Sequence, residues 1–242
     1  MGHTYQEDYT ISFELSDTNG NLKLPPFLSV LLEVSGHHSA QLGRSDVYVL
    51  ENYGYVWIVT DYEFDIVRLP KFSEKVIIRT EAVSYNKLIC HRRFEVLDDK
   101  EDLLIRVESY FALMDLENRK IVVVPDDLLE PYQSEKVKKI ARGAKYPSLE
   151  EPERSSYHVR YLDIDMNGHV NNSKYLDWMY DVLGYAFLKE HVPSHIHLKY
   201  SREVSPGGDI SSEFVRDGLV SHHQICSDGQ INAQAIITWR KQ

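Results

Sequence analysis

Residues 164–184 read IDMNGHVNNSKYLDWMYDVLG, and residues 16–36 read SDTNGNLKLPPFLSVLLEVSG. The two stretches align without a gap when the chain is shifted against itself so that Asp17 meets Asp165. The other identical pairs are Asn19 with Asn167, Gly20 with Gly168, Leu28 with Leu176, Val34 with Val182, and Gly36 with Gly184. Because these residues also share helical spacing, we interpret the chain as two homologous halves rather than as a coincidence of common residues.

Each stretch is predicted to lead into a long helix. In the second half, one helical face is apolar over a segment from Val170 to about Lys189. Its apolar members are Leu176, Met179, Val182, Leu183 and Phe187. Asn171 and Asn172 are residue types that cap helix starts, and the corresponding helix of the first half is predicted from about Pro25 to Leu42.

Four strand-like segments follow each predicted helix. In the first half they are GYVWIVTDYEFDIV, KVIIRTEAV, KLICHRRFEVL and LLIRVESYFALMD. In the second half they are HIHLKYSREV, ISSEFVRD, LVSHHQIC and NAQAIITWR. Turn-forming pairs such as Gly-Gly and Asp-Gly separate the second set, which predicts antiparallel strands joined by short turns. A long helix followed by such strands predicts an α+β fold in which a sheet wraps a helix.

The residues between the halves have a different composition. Residues 119–152 are rich in proline and charge, so they are predicted to be a linker that packs across the sheets, with a short helix over 134–141. The resulting organisation is an N-terminal domain over 1–118, the linker, and a C-terminal domain over 153–242.

Composition excludes several classes of function. The formal net charge of −10 argues against nucleic acid as the main partner, because phosphate binding needs a basic surface. No apolar run is long enough to cross a bilayer, so no stable membrane insertion is expected. The N-terminal residues lack the basic and apolar regions of a secretory signal, and the only cysteines, Cys90 and Cys226, indicate neither a disulfide framework nor a zinc site. We therefore expect a bacterial cytoplasmic protein.

The polar residues ahead of the second helix are the candidate site. If the segment is extended, Asp165, Asn167 and His169 lie on one side of it, next to the free N–H groups of a helix start. An acid, an amide and an imidazole so placed can hold an oxygen atom while a proton moves. The alternative is an Asx turn with a satisfied helix cap, which needs no catalysis. The first half has Asn21 in the place of His169, which suggests one active and one degenerate copy.

The string DIDMNGHVNNSKYLDW resembles the signature of acyl-acyl carrier protein thioesterases, plant and bacterial enzymes built from two tandem hot-dog domains. WIVTDYEFDIVRLPKFSEKVIIRT and HLKYSREVSPGGD are similar to further segments of the family, so the resemblance covers nearly the whole chain. It implies a pseudo-dimer of two hot-dog domains that hydrolyses fatty acyl-acyl carrier protein, with the first domain shaping the acyl pocket. It also implies that Asp165, Asn167, His169 and Glu203 form the site. Many plant members have a cysteine after that glutamate, whereas this chain has Val204.

The resemblance implies thioester hydrolysis without a cysteine nucleophile, a cofactor or a metal. His169 and Glu203 would activate water or pass protons to the thiolate, Asn167 would hold the water, and helix-start N–H groups would bind the oxyanion. Asp165 would be either the nucleophile or the base. Cys90 and Cys226 are expected to be core residues. The close histidines His191, His195 and His197 are expected to be surface residues rather than metal ligands.

The expected partner is an acyl carrier protein, which is acidic, so docking needs a basic patch. Basic residues that would share one side of the linker helix are Lys136, Lys138, Lys139, Arg142 and Lys145. The alternative is an ordinary solvated face. Trp57, Val59, Phe64 and Ile66 are candidates either for the acyl pocket or for plain core. Competing functions are a coenzyme A thioesterase of the hot-dog fold and a non-catalytic acyl-binding protein. A monomer or a homodimer fits, and the sequence does not predict the acyl chain length.

Overall fold

The computed structural model describes residues 2–242. Its strands are β1 Thr4–Thr10, β2 Tyr55–Ile66, β3 Lys75–Tyr85, β4 Cys90–Leu97, β5 Leu103–Asp115, β6 Glu135–Lys136, β7 Glu153–His158, β8 His191–Tyr200, β9 Asp209–Asp217, β10 Val220–Ser227 and β11 Gln230–Lys241. Its helices are α1 Leu24–Gln41, α2 Asp46–Tyr53, α3 Asp126–Leu129, α4 Asn172–Asp181 and α5 Tyr185–Glu190, with short 3₁₀ turns at Glu130–Tyr132 and Tyr161–Asp163.

The strands form one continuous sheet in the order β1-β3-β4-β5-β2-β8-β11-β10-β9-β7, with β6 added beside β3. Read outward from the central pair of β2 and β8, the two sides have matching strand orders. The central pair is antiparallel, with Asp61 opposite Lys199 and Asp65 opposite His195. The two halves therefore share a single hydrogen-bonded sheet, as two hot-dog units in tandem would.

Helices α1 and α4 contact each other on one face of this sheet. Phe27, Leu28 and Leu31 of α1 and Leu176 and Met179 of α4 are almost fully buried in the same core. The sheet wraps the helices because each helix has one apolar face that must be buried away from water. The predicted α+β fold is confirmed, while the exact boundaries of the halves stay a prediction.

The two long helices differ where the repeat aligns a pair of glycines. The single helix predicted for the second half is wrong, because α4 ends at Asp181 and α5 begins at Tyr185. Gly184 between them has a φ of +81°, which interrupts helical geometry. Its counterpart Gly36 lies inside the uninterrupted α1.

The linker does not contain the helix predicted over 134–141. Instead, β6 pairs in parallel with β3, and the N–H of Val137 donates to the carbonyl of Tyr85 at 2.8 Å. Strand pairing at this sheet edge satisfies backbone groups that a short isolated helix would satisfy poorly. Farther along, Arg142 forms an ion pair with the buried carboxylate of Asp61, so the linker lies on the sheet face opposite the helices.

The sequence did not predict the edge strands β1 and β7, the linker strand β6, or the helices α2 and α3. Both edge strands are short, polar and half-exposed, which is how natural sheets protect their edges. Among residues 2–242, no helix combines the length and the apolar character needed to cross a membrane.

Candidate active site

The loop that carries Asp165, Asn167 and His169 is a tight Asx turn, so the predicted extended arrangement is wrong. Asp165 Oδ1 accepts hydrogen bonds from the N–H groups of Asn167 at 2.9 Å and His169 at 3.3 Å. The N–H of Asp165 in turn donates to the carbonyl of His169 at 2.8 Å. Gly168 has a φ of +78°, a conformation that glycine adopts without steric cost. The turn nevertheless brings Asp165, Asn167 and His169 to the wall of one cavity.

The first half contains the same turn. Asp17 Oδ1 accepts hydrogen bonds from the N–H groups of Asn19 and Asn21, both at 2.8 Å. The aspartate therefore stabilises the turn in both halves, and this role does not require catalysis. The difference lies in the residue that stands where the second half has His169.

In the first half, the side-chain amides of this turn form hydrogen bonds to other segments of the chain. Asn21 is buried, and its Nδ2 donates to the Gln242 side chain at 2.9 Å. Nδ2 of Asn19 donates to the Lys189 carbonyl at 2.9 Å. This turn therefore has no imidazole, and both of its side-chain amides are occupied by contacts within the protein.

Glu203 reaches the second copy from the loop after β8. Asn232 Nδ2 donates to the Glu203 carbonyl at 3.1 Å, and the N–H of Val204 donates to Tyr175 Oη at 2.9 Å. These contacts hold the loop so that Glu203 Oε2 lies 3.7 Å from His169 Nε2. That separation is too long for a direct hydrogen bond, but it places the imidazole and the carboxylate beside the same volume.

Arg119 is a site residue that sequence reasoning missed. Its guanidinium forms an ion pair with the Glu203 carboxylate. Arg119 has a φ of +51°, an uncommon conformation for a side chain other than glycine. It is held there by Asp115, whose carbonyl accepts from the N–H of Arg119 at 2.9 Å. No local motif marks this residue, because its partner is 84 positions away.

The start of α4 forms another part of the cavity wall. Asn171 is the helix cap, with Oδ1 accepting from the N–H of Ser173 at 2.9 Å, so its predicted capping role is confirmed. Asn172 lines the cavity, and its carbonyl accepts from Tyr200 Oη at 2.8 Å. The start of α4, the positive end of its dipole, therefore lies at the same cavity as His169 and Glu203.

The cavity has a volume of about 830 Å³ and extends from these polar groups into the first half. Its apolar lining includes Leu32, Trp57, Val59, Phe111 and Met114. Of the four pocket candidates named from sequence, Trp57 and Val59 line it, whereas Phe64 and Ile66 are buried in the core.

Away from His169, the cavity also borders a buried cationic group. Arg92 lines the cavity, and its NH1 donates to His38 Nδ1 at 3.0 Å and to Thr80 Oγ1 at 3.1 Å. Burial, together with the positive charge of Arg92, lowers the pKa of His38 to about 3, so His38 stays neutral and can accept.

Neither cysteine is poised as a nucleophile. Cys90 lines the cavity, but burial raises the pKa of its thiol to about 12, so the reactive thiolate is scarce at neutral pH. Burial also raises the pKa of Cys226. From the sequence, both cysteines were expected to be buried core residues, whereas both are half-buried.

The five basic residues predicted for carrier docking are not arranged on a helix. Lys136 is paired with Asp126 at 2.6 Å, and Arg142 is paired with Asp61. Lys138, Lys139 and Lys145 are exposed. A docking surface would therefore rest on these last three lysines.

The sequence matches two protein-family models. The Acyl-ACP thioesterase N-terminal domain matches residues 2–132, and the Acyl-ACP thioesterase C-terminal domain matches residues 146–241. Among curated proteins, the chloroplastic oleoyl-acyl carrier protein thioesterase of Coriandrum sativum is 24% identical over 220 residues, which are 84% of this chain and 60% of that protein. A second such protein, thioesterase 2 of Arabidopsis thaliana, is 25% identical over 237 residues, or 87% of this chain and 62% of that one. The chain thus spans about three fifths of the length of these plant relatives.

Solved structures share the architecture over the full chain. A Lactobacillus plantarum protein provisionally named an oleoyl thioesterase superposes with a TM-score of 0.93 at 30% identity, covering 99% of this chain and 97% of that one. The 12:0-ACP thioesterase from Umbellularia californica superposes with a TM-score of 0.87 at 19% identity, covering 99% and 98%. The second likeness shows the fold alone.

Proposed function

The chain belongs to the acyl-ACP thioesterase family, and from that premise we propose that it hydrolyses the thioester of a fatty acyl-acyl carrier protein. The products are a free fatty acid and the carrier protein thiol. The observation that carries the proposal is one cavity of about 830 Å³ whose wall contains both the His169 and Glu203 pair and a set of apolar side chains. Such a cavity offers an apolar place for the acyl chain beside groups that can move a proton.

In the mechanism that we propose, His169 removes a proton from water as the water oxygen attacks the thioester carbonyl. Glu203, held by Arg119, stabilises the imidazolium that forms. The N–H of Asn172, the first residue of α4 and part of the cavity wall, stabilises the negative charge that develops on the carbonyl oxygen, because the N–H of Ser173 is already bonded to the Asn171 cap. The carbon–sulfur bond then breaks, and His169 returns the proton to the departing thiolate.

Asp165 and Asn167 have supporting roles in this mechanism. We assign Asp165 to holding the turn, because one of its oxygens already accepts two backbone hydrogen bonds and Asp17 makes the same contacts without an imidazole. Asn167 lines the cavity and would orient the water.

The direct test is release of free fatty acid from carrier-linked acyl groups of graded length, with the same acyl groups on coenzyme A as the comparison. We expect turnover on the carrier-linked series and a much lower kcat/KM on the coenzyme A series. The reverse preference would assign the chain to coenzyme A thioesterases. Ligand binding without turnover would assign it to acyl-binding proteins.

Gly36 is predicted to set the length of acyl chain that fits. It lies on α1 at the cavity wall, and a Cβ added there meets no atom within 4 Å. Gly36→Leu should fill part of the cavity, so we expect the preferred substrate to become shorter and kcat/KM for the longest accepted chain to fall by about tenfold or more. The measurement is the same graded panel.

Gly36→Ala is the matched control for this change. It should leave the chain-length profile unchanged and raise the free energy of unfolding by about 1 kcal/mol, because alanine is the better helix former. A chain-length profile unaltered by Gly36→Leu would place the acyl chain elsewhere.

Carrier docking is proposed to use the exposed lysines of the linker. We expect Lys138→Glu with Lys139→Glu to raise KM for carrier-linked substrate about tenfold and to spare a small thioester, because charge reversal repels an acidic carrier. Steady-state kinetics at low salt measure the effect.

The matched control reverses Lys75 and Lys100, which are exposed elsewhere on the first half and give the same change in net charge. Equal rises in KM for both double variants would mean that overall charge, and not this surface, governs docking.

Location and assembly are also proposals. The two cysteines are free thiols, which suits the reducing bacterial cytoplasm, although the plant relatives carry chloroplastic names. The continuous sheet already contains both hot-dog units, so we propose that one chain suffices for activity.

A further inference from the structure

The outer face of the sheet carries a cluster that the proposed chemistry does not use. Along β8, Ile196 and Leu198 point into the core, so His195 and His197 point to the opposite face, away from α1 and α4. Glu63 and Asp65 lie on the neighbouring strand β2, where Glu63 pairs with His197 and Asp65 with His195. His191, the third histidine of the sequence cluster, is separate, because its Nδ1 contacts the Phe187 carbonyl at 2.9 Å.

Three donor atoms of this cluster converge. His195 Nε2 and His197 Nε2 are 2.9 Å apart, and Glu63 Oε1 lies 3.8 Å from the first and 3.9 Å from the second. The circle through three atoms with these separations has a radius of about 2.1 Å, the length of a Zn–N or Zn–O bond. One point is therefore equidistant from all three atoms at a metal-ligand distance.

The orientation of the His195 ring favours ligation. His195 Nδ1 is 2.8 Å from Asp65 Oδ1, so the ring proton lies on Nδ1 and the lone pair lies on Nε2, toward the cluster. A carboxylate behind a histidine in this way orients the ring and increases its basicity as a ligand.

Several cations on the same face pair with other carboxylates: Arg142 with Asp61, and His91 and Arg93 with Glu108. Among the described residues, the basic side chains within ion-pair distance of Glu63 are His195 and His197.

We propose that Glu63, His195 and His197 form a binding site for a divalent transition-metal ion of the Zn²⁺ type. Two imidazoles and one carboxylate are a usual protein ligand set for such ions, and the remaining coordination position is open to water. Because the ligands come from β2 and β8, the bound ion cross-links the two strands at which the halves join. The site lies on the face opposite the helices and is independent of thioester hydrolysis.

The test uses the full chain after treatment with a chelator, titrated with Zn²⁺ by calorimetry. We expect one saturable equivalent and, at a free Zn²⁺ concentration about 100 times Kd, a Tm higher by about 5–10 °C. Asp65→Asn should weaken binding about 10–100-fold, and loss of the direct ligand in His197→Ala should weaken it further. Glu63→Gln, which keeps the shape of the side chain, should also weaken it.

His158→Ala is the matched control. His158 is paired with Asp209 at 2.8 Å, an exposed imidazole and carboxylate without a second histidine, and its loss should leave Zn²⁺ binding unchanged. The proposal is overturned if the wild-type chain takes up no Zn²⁺ saturably. It is equally overturned if His197→Ala or Glu63→Gln binds as tightly as the wild type, or if His158→Ala weakens binding as much as they do.

Discussion

Replacing His169 by alanine is expected to lower kcat/KM for a carrier-linked acyl group by about 10²–10⁴-fold, the usual contribution of a positioned acid–base group. The imidazole is the one titratable side chain that distinguishes the second turn from the first, where Asn21 occupies its place. In the proposed mechanism His169 accepts the proton from water and returns it to the thiolate, so the loss should appear in kcat more than in KM. Steady-state release of free acid measures both.

Two controls accompany this experiment: the melting temperature of His169→Ala and a variant of the equivalent turn in the first half. The side chain of His169 is about one third exposed, so its removal should change Tm little, and a normal melting curve would separate a chemical defect from misfolding. Asn21→Ala, in the equivalent turn, should cost stability through its lost contact with Gln242 but leave kcat within about twofold. Full activity in His169→Ala would remove the imidazole from the mechanism.

Replacing Asp165 by alanine is expected to lower kcat/KM by about 100-fold and the free energy of unfolding by about 1 kcal/mol. The stability loss follows from the two backbone N–H groups that lose their acceptor. The activity loss follows because the turn positions His169, and a displacement of about 1 Å at a catalytic group can cost about that factor. Asp17→Ala should show the same stability loss with full activity.

Asp165→Asn decides what the aspartate does. Its side-chain carbonyl can still accept both backbone hydrogen bonds, so a purely positioning Asp165 predicts activity within about tenfold of the wild type. If Asp165→Asn were instead as inactive as Asp165→Ala, with an unchanged Tm, the carboxylate charge itself would be required. Asp165 would then be the nucleophile or the base, the alternative that the sequence left open.

The regular elements could be predicted because their sequence patterns are unambiguous. The segment LLIRVESYFALMD coincides with β5, Leu103–Asp115, and the helix of the first half is displaced by one residue. The linker was harder to predict, because a helix of about eight residues gains little stability from propensity alone and a sheet edge lay within reach. The turn at Asp165 was misassigned as extended for a related reason: alternating Asp, Asn and His suits an Asx turn equally well.

The candidate site could be predicted only where its residues are close in sequence or carried by the family resemblance. Asp165, Asn167 and His169 lie within five positions, and Glu203 came from the resemblance. Arg119 could not be found, since its role depends on a turn fixed by Asp115 and on a contact made only after folding. The same applies to Glu63, whose approach to the two histidines is created by the pairing of β2 with β8.

Because the two hot-dog units are joined in one polypeptide, their sequences do not have to be identical. In a symmetric pair of identical subunits, every substitution appears twice, so a change that widens one pocket also damages its twin. Here the joined sheet keeps the paired geometry while the copies evolve separately. Gly36 can stay within an unbroken helix beside the cavity while Gly184 interrupts its helix, and Asn21 can make a buried structural contact while His169 stays at the cavity wall.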